Sequence, residues 1–187
     1  MSTSTANERI SIPFPVRLPL TSALAFACGS ALGASQGGLV AGLRFRAENA
    51  HRFPTDQVGW YLYHKSKNYH AVLGAAKEGI KMGGKMAIWA GVYAYLEEGV
   101  DRYRGAVMTW WGWDGSRTSK DAISSTLAGL ATGGAFAVWG RFPAPTAVRM
   151  ATLGAKAGLG YGILQDLVGL ARGRSVGIVE LVKAFLR

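Results

Sequence analysis

From Pro19 to Leu43 the chain reads PLTSALAFACGSALGASQGGLVAGL, twenty-five residues without a charge. At about 1.5 Å per helical residue, such a run crosses a hydrocarbon layer of about 30 Å with length to spare for tilt. A second run from Ala122 to Gly140, AISSTLAGLATGGAFAVWG, adds nineteen uncharged residues. Two further apolar stretches carry interruptions: Lys85 lies within residues 82–96, and Arg149 and Lys156 within residues 147–164. The expected architecture is an all-α membrane protein with four Gly-rich transmembrane helices at about 19–43, 79–98, 121–140 and 146–166, and with interfacial helices in the first loop and the C-terminal tail. Residues 1–18 form an N-terminal polar segment, 19–171 the membrane domain and 172–187 a C-terminal amphipathic segment. The mean hydropathy of +0.14 is then an average of apolar spans and polar connections.

The glycines discriminate between a membrane bundle and a buried soluble bundle. There are 26 of them, and inside a helix in water each costs about 1 kcal/mol relative to Ala. Between membrane helices small residues are favoured because they let backbones approach closely. Their spacing follows that logic. Gly29, Gly33 and Gly37 recur every fourth residue, with Gly38 and Gly42 on an adjacent face; Gly79 and Gly83, Gly129 and Gly133, and Gly154, Gly158 and Gly162 repeat the step. Each set forms one helix face suited to packing against another helix.

The formal charge of +10 is unevenly placed. The connection from Arg44 to Lys81 is net +4 and Arg141 with Arg149 adds +2, whereas the N-terminus, residues 97–121 and the tail together give +2. That density favours the first and third loops on the matrix or cytoplasmic side, although the raw Lys and Arg counts of nine and ten are nearly equal. No cleavable secretory signal is apparent, and Pro13, Pro15 and Pro19 oppose an amphipathic presequence helix, so any mitochondrial targeting would be internal.

Residues 57–70, QVGWYLYHKSKNYH, interleave Trp60, Tyr61, Tyr63 and Tyr69 with Lys65, Lys67, His64 and His70. The mixture suits a lipid headgroup interface, beside membrane spans more readily than stacking on single-stranded nucleic acid. Residues 175–187 read as either an interfacial helix or a plain amphipathic packing helix.

Chemistry is sparse. The lone Cys28 excludes an internal disulfide and a Cys-based zinc site. His51, His64 and His70 lack helical i, i+4 pairing. No phosphate loop, dinucleotide fingerprint or nucleophile–base arrangement stands out. The expectation is a non-enzyme with no cofactor, metal, nucleic-acid partner or small-molecule substrate. The polar groups of interest are the intramembrane charges Lys85 and Lys156, and the acidic cluster Glu97, Glu98 and Asp101. Snorkelling and burial are equally open for Lys85, and a buried role is expected for Lys156. The acids are expected to pair locally with Arg102, Arg104 and Lys120.

Four Gly-rich spans, Lys120-Asp121-Ala122 opening the third, and Ala128-Gly129 followed by Thr132-Gly133 within it resemble the mitochondrial inner-membrane translocase (Tim) superfamily. Glu98 and Tyr103-Arg104-Gly105 match the acidic residue and basic loop after that family's second span. Glu48, Tyr63-His64, Tyr69, Ala71-Val72, Ala75-Ala76 and Gly79 are most similar to the family's branch of Tim-domain-containing complex I assembly factors. Residues 106–118, AVMTWWGWDGSRT, stand as an insertion between Tyr103-Arg104 and Lys120-Asp121. The resemblance implies a multi-pass inner-membrane protein with both termini towards the intermembrane space. It also implies non-catalytic chaperone work on complex I membrane-arm subunits, with membrane lipids and other inner-membrane proteins, complex I subunits or assembly factors, as partners. A protein-import translocase component, an accessory subunit of a respiratory complex and, least favoured, a small-solute transporter are the alternatives.

Overall fold

The computed structural model describes residues 12–110 and 122–171. Those residues are all helical: α1 (Phe14–Glu48), α2 (Gln57–Trp110), α3 (Ala122–Trp139) and α4 (Ala144–Ala171), with a single 3-10 turn at Ala50–Arg52. The tail 175–187, the Trp111 and Trp113 positions of the insertion, and Lys120 and Asp121 lie outside the described residues.

The helix limits correct two expectations. α1 begins before Pro19, in spite of the prolines. The Pro13 carbonyl accepts the N–H groups of Val16 and Arg17, and Pro15 occupies a first turn whose N–H groups have no helical acceptor anyway. Pro19 forgoes one bond near the helix end. The second correction concerns residues 57–78, expected as a loop with an interfacial helix of its own. They are instead continuous with the second span in a 54-residue helix. No proline interrupts residues 57–110, and a helix satisfies its own backbone whatever the polarity of its side chains. Polarity marked where the apolar run ended, not where the helix did.

Two helices, α1 and α3, are long and apolar enough to cross a membrane. The expected count of four therefore falls to two on length and hydropathy. Charges account for the shortfall: Lys81, Lys85, Glu97 and Glu98 fall within residues 79–98, and Arg149, Lys156 and Asp166 within residues 146–166. The apolar window of α1 is only 11% buried, so its large side chains are not a core covered by this chain.

The chain divides into two compact units, Leu20–Ala90 and the remainder (through Pro19 and from Gly91). In the first, α1 and α2 run antiparallel. A Cβ placed on Gly33 would lie 2.5 Å from the Glu78 carbonyl oxygen and 2.7 Å from Met82 Cβ, and one on Gly37 would lie 2.5 Å from the Gly74 carbonyl oxygen. Gly29 meets Gly83, Gly79 meets Ser30 and Ala34, and Gly38 meets Ala75; Gly42 touches Ala71 only at 4.0 Å. Backbones this close leave no room for a side chain.

In the second unit α3 and α4 form another antiparallel pair. Gly129 packs on Gly154 and Gly158, Gly133 on Met150 and Ala151, and Gly162 on Ala122. Their connection is a Schellman turn: Phe142 N–H reaches Ala137 O, Arg141 N–H reaches Val138 O, and Arg141 takes the left-handed position with φ 50°. The apolar contact that accompanies such a turn is made by Phe142 on Phe136, with ring centroids 5.8 Å apart. Pro143 then prevents continuation of α3, and its carbonyl accepts the first N–H groups of α4, from Thr146 and Ala147.

Burial is inverted relative to a protein folded in water. Among the described residues the buried apolar side chains are Ala94, Ala122, Ala128 and Ala137, and the largest fully buried ones are Glu97, Ser124 and Ser125. Large apolar groups such as Leu24, Leu32, Leu39, Ile80, Ile88 and Leu153 are exposed. Helices folding in water put such residues inside.

Candidate functional site

The buried acids belong to the second unit. On α2, Ala94, Glu97 and Asp101 are spaced i, i+3 and i+7, so one helix face carries all three, and all three are buried. Glu98, one residue around the helix, is partly buried. The cation that enters this cluster comes from the start of α1. Arg17, 3% exposed, lies with Nη2 3.4 Å from Glu98 Oε2 and 3.7 Å from Glu97 Oε2. Its guanidinium carbon also sits 5.8 Å from the Phe14 ring centroid. The Ser125 hydroxyl of α3 donates to Glu97 Oε1 at 2.6 Å, a charge-assisted bond. At the outer edge Arg102 Nε donates to Glu98 Oε1 at 3.2 Å.

α1, α2 and α3 are thus tied together by one buried network, and α4 joins through a different contact. Asp166 Oδ2 accepts the N–H of Ala122 at 3.3 Å. A carboxylate there satisfies one of the orphan donors at the α3 N-terminus and complements its partial positive charge. Close by on α4, Tyr161 packs edge-on against Tyr93 of α2 at 5.9 Å.

The cluster contains carboxylates, a guanidinium and hydroxyls. Ser125 uses its proton on a carboxylate rather than facing a histidine base; all three histidines fall in the other unit. What the arrangement does physically is fix helix register. Each buried carboxylate has a large desolvation cost unless its partner stays in place, so sliding any of the three helices by one turn would strand a charge.

The expected local pairing of the acids is found in part. Glu98 does pair with Arg102, and it is also met by Arg17, 81 positions away in sequence. Arg104 is half-buried, and Tyr103 is exposed. Lys85 and Lys156 are both exposed, which corrects the expectation of a buried Lys156. The packing glycines of α1 lie against α2, and those of α3 against α4, as described above. Within the Ala-Gly-x-x-Thr-Gly string, Ala128 is fully buried and accepts through its carbonyl the Thr132 hydroxyl at 2.7 Å.

Arg17, Ser125 and Asp166 are site residues that sequence reasoning did not single out. A signal for Arg17 existed: it is the last charge before the charge-free run. Ser125 carried none, since it reads as one more small residue.

At the connected end of the α1–α2 pair the aromatic–basic segment forms a ring cluster. Tyr63 touches Phe45, Phe53, Trp60 and His64 with centroids 5.4 to 5.9 Å apart, and His70 stacks on Phe45 at 4.9 Å. Tyr69, in contrast, points to the outside.

No family model, curated protein or solved structure matches this chain.

Proposed function

We propose that this chain is a multi-pass protein of the mitochondrial inner membrane that acts, without catalysis, as a scaffold for the assembly of complex I membrane-arm subunits. The inverted burial carries the membrane part of this reading: large aliphatic residues outside, alanine, glycine and a paired charge cluster inside. In lipid that arrangement costs nothing at the surface and supplies the close contacts that hold helices together. α1 and α3 each meet the requirement for a span. α2 packs along α1, and α4 along α3, through the glycine faces. Exposed Lys85 and Lys156 then snorkel to the headgroups.

The scaffold part rests on the Tim-family resemblance and on the state of the acids. Glu97 and Asp101 are buried, and Glu97 is paired with Arg17, whereas a polypeptide-conducting face would present its acids outward. Most of the glycines are consumed by packing within the chain. The surfaces left for partner helices are the exposed aliphatic faces and the open positions Gly84, Gly99, Gly134 and Gly160, around which a Cβ would meet nothing within 4 Å.

Gentle solubilisation of mitochondria, native separation and mass spectrometry of co-migrating proteins test the reading. Co-migration with complex I intermediates is expected. Migration with import components and none with those intermediates would overturn the scaffold role, and extraction by alkaline carbonate would overturn the membrane assignment.

A further inference from the structure

The glycine contacts fix how far along the charge-free stretch of α1 each residue of α2 lies. Gly79 and Gly83 both meet Ser30, so Lys81, midway between them, is level with Ser30. Ser30 stands thirteen positions after Arg17 and fourteen before Arg44. That is about 20 Å of helix to either side, at about 1.5 Å per residue, against about 15 Å for half a hydrocarbon core. One turn away in one direction, Lys77 falls between Gly74, which meets Gly37, and Gly79, which also meets Ala34. One turn away in the other, Lys85 falls between Gly83, which meets Phe26, and Met86, which meets Gly29. Three lysines of α2 are thus level with a part of α1 that carries no charge.

These lysines share one open face. Spaced i, i+4 and i+8, they follow one side of the helix, and all three are exposed. Gly84, three residues after Lys81 and seven after Lys77, lies on the same side, and a Cβ there would meet nothing within 4 Å. Glu78 is the one acid in residues 69–92, and it pairs with Lys81 at 3.4 Å. Lys77 and Lys85 have no ion-pair partner among the described residues. At this depth the pair of helices therefore carries an excess of two positive charges.

We infer that this face docks a transmembrane helix of a partner that carries two carboxylates about one turn apart near its middle. The inference rests on the membrane scaffold reading above and names the chemistry of the partner. Ionised groups at membrane depth pair with opposite charge or reach water. In the chain by itself the lysines must bend towards the headgroups; a carboxylate at their own depth removes that need. The sign of the partner follows from the cation excess, and two carboxylates balance it. Lysines one turn apart are about 6 Å apart along α2, the same step as an i, i+4 pair on a neighbouring helix. Gly84 supplies the close backbone approach that brings a short acidic side chain within reach of a lysine.

The full chain, reconstituted in phosphatidylcholine vesicles, is offered a dansyl-labelled transmembrane peptide with a Leu-Ala body and two Glu four residues apart at its middle. The same peptide with Gln in place of both Glu serves as comparison, and association is read by energy transfer from the tryptophans of the chain. The Glu peptide should associate about tenfold more tightly than the Gln peptide. Lys77→Gln, Lys81→Gln and Lys85→Gln together should abolish that difference, whereas Lys156→Gln on α4 should leave it. Gly84→Leu should weaken association of both peptides. Equal association of the two peptides with the unmodified chain, or an undiminished difference in the triple variant with helicity intact, overturns the inference. The levels separate: a chain that does not float with the vesicles overturns the membrane reading itself, and one that floats without discriminating overturns only the docking face. Absence of complex I intermediates from the native separation, with the peptide preference intact, overturns the scaffold role alone.

Discussion

Gly133 and Gly134 are neighbours on α3 with opposite surroundings, and substituting each by alanine isolates the packing contribution. A Cβ at Gly133 would stand 2.6 Å from the Met150 carbonyl oxygen, 3.1 Å from Ala151 Cα and 3.2 Å from the Met150 carbonyl carbon. All three are backbone atoms and cannot rotate away. Carbon–oxygen contacts are comfortable at about 3.3–3.6 Å, so α3 and α4 must part by about 0.7–1 Å. A gap of about 0.5–1 Å forfeits a quarter to a half of each dispersion contact, and overpacking of this kind costs about 1–3 kcal/mol. At Gly134 the same Cβ meets nothing within 4 Å. Both variants gain the intrinsic helix preference of Ala over Gly, about 1 kcal/mol, so that contribution cancels in the comparison. Gly133→Ala should therefore be less stable than Gly134→Ala by about 1–3 kcal/mol, or about 5- to 150-fold in the unfolding equilibrium. Denaturation of both variants in the same detergent, followed by far-ultraviolet circular dichroism, measures the difference. Equal stabilities, or a more stable Gly133→Ala, would refute close backbone packing as what joins α3 to α4.

Three further outcomes are expected. Arg17→Met takes from buried Glu97 the guanidinium 3.7 Å away, while Glu98 keeps Arg102, and should cost about 3–5 kcal/mol, whereas Arg102→Gln, at an exposed i, i+4 pair, should cost less than about 1 kcal/mol; denaturation curves that rank them the other way would show that the buried network is not what holds α1 to α2. Ser125→Ala removes the hydroxyl proton from Glu97 and should destabilise by about 1.5–3 kcal/mol, and an unchanged unfolding midpoint would contradict that bond. Arg141→Gly relieves the left-handed conformation at φ 50° and should raise stability by about 1 kcal/mol, while Arg141→Ala should bring no gain; a gain from both would place the effect elsewhere than in backbone strain.

The two charge-free runs mark helices long and apolar enough to cross a membrane, and the four-residue recurrence of glycine dictated which helix faces approach one another. Those are local properties, written in consecutive residues. Three matters were not legible locally. Residues 57–78 are polar yet helical, since helix continuity depends on backbone satisfaction and on the absence of proline, not on hydropathy. The partners of the glycine faces, α2 for α1 and α4 for α3, follow from short connections and the Schellman turn at Arg141. The buried cluster required folding most of all. Arg17 and Glu98 are 81 positions apart, and Ser125 reaches Glu97 across 28. In sequence Arg17 is one cation in a polar N-terminal segment and Ser125 one small residue among many. Only when α1, α2 and α3 come together does burial remove water from the carboxylates, and only then does the identity of the residue opposite them carry a large energy.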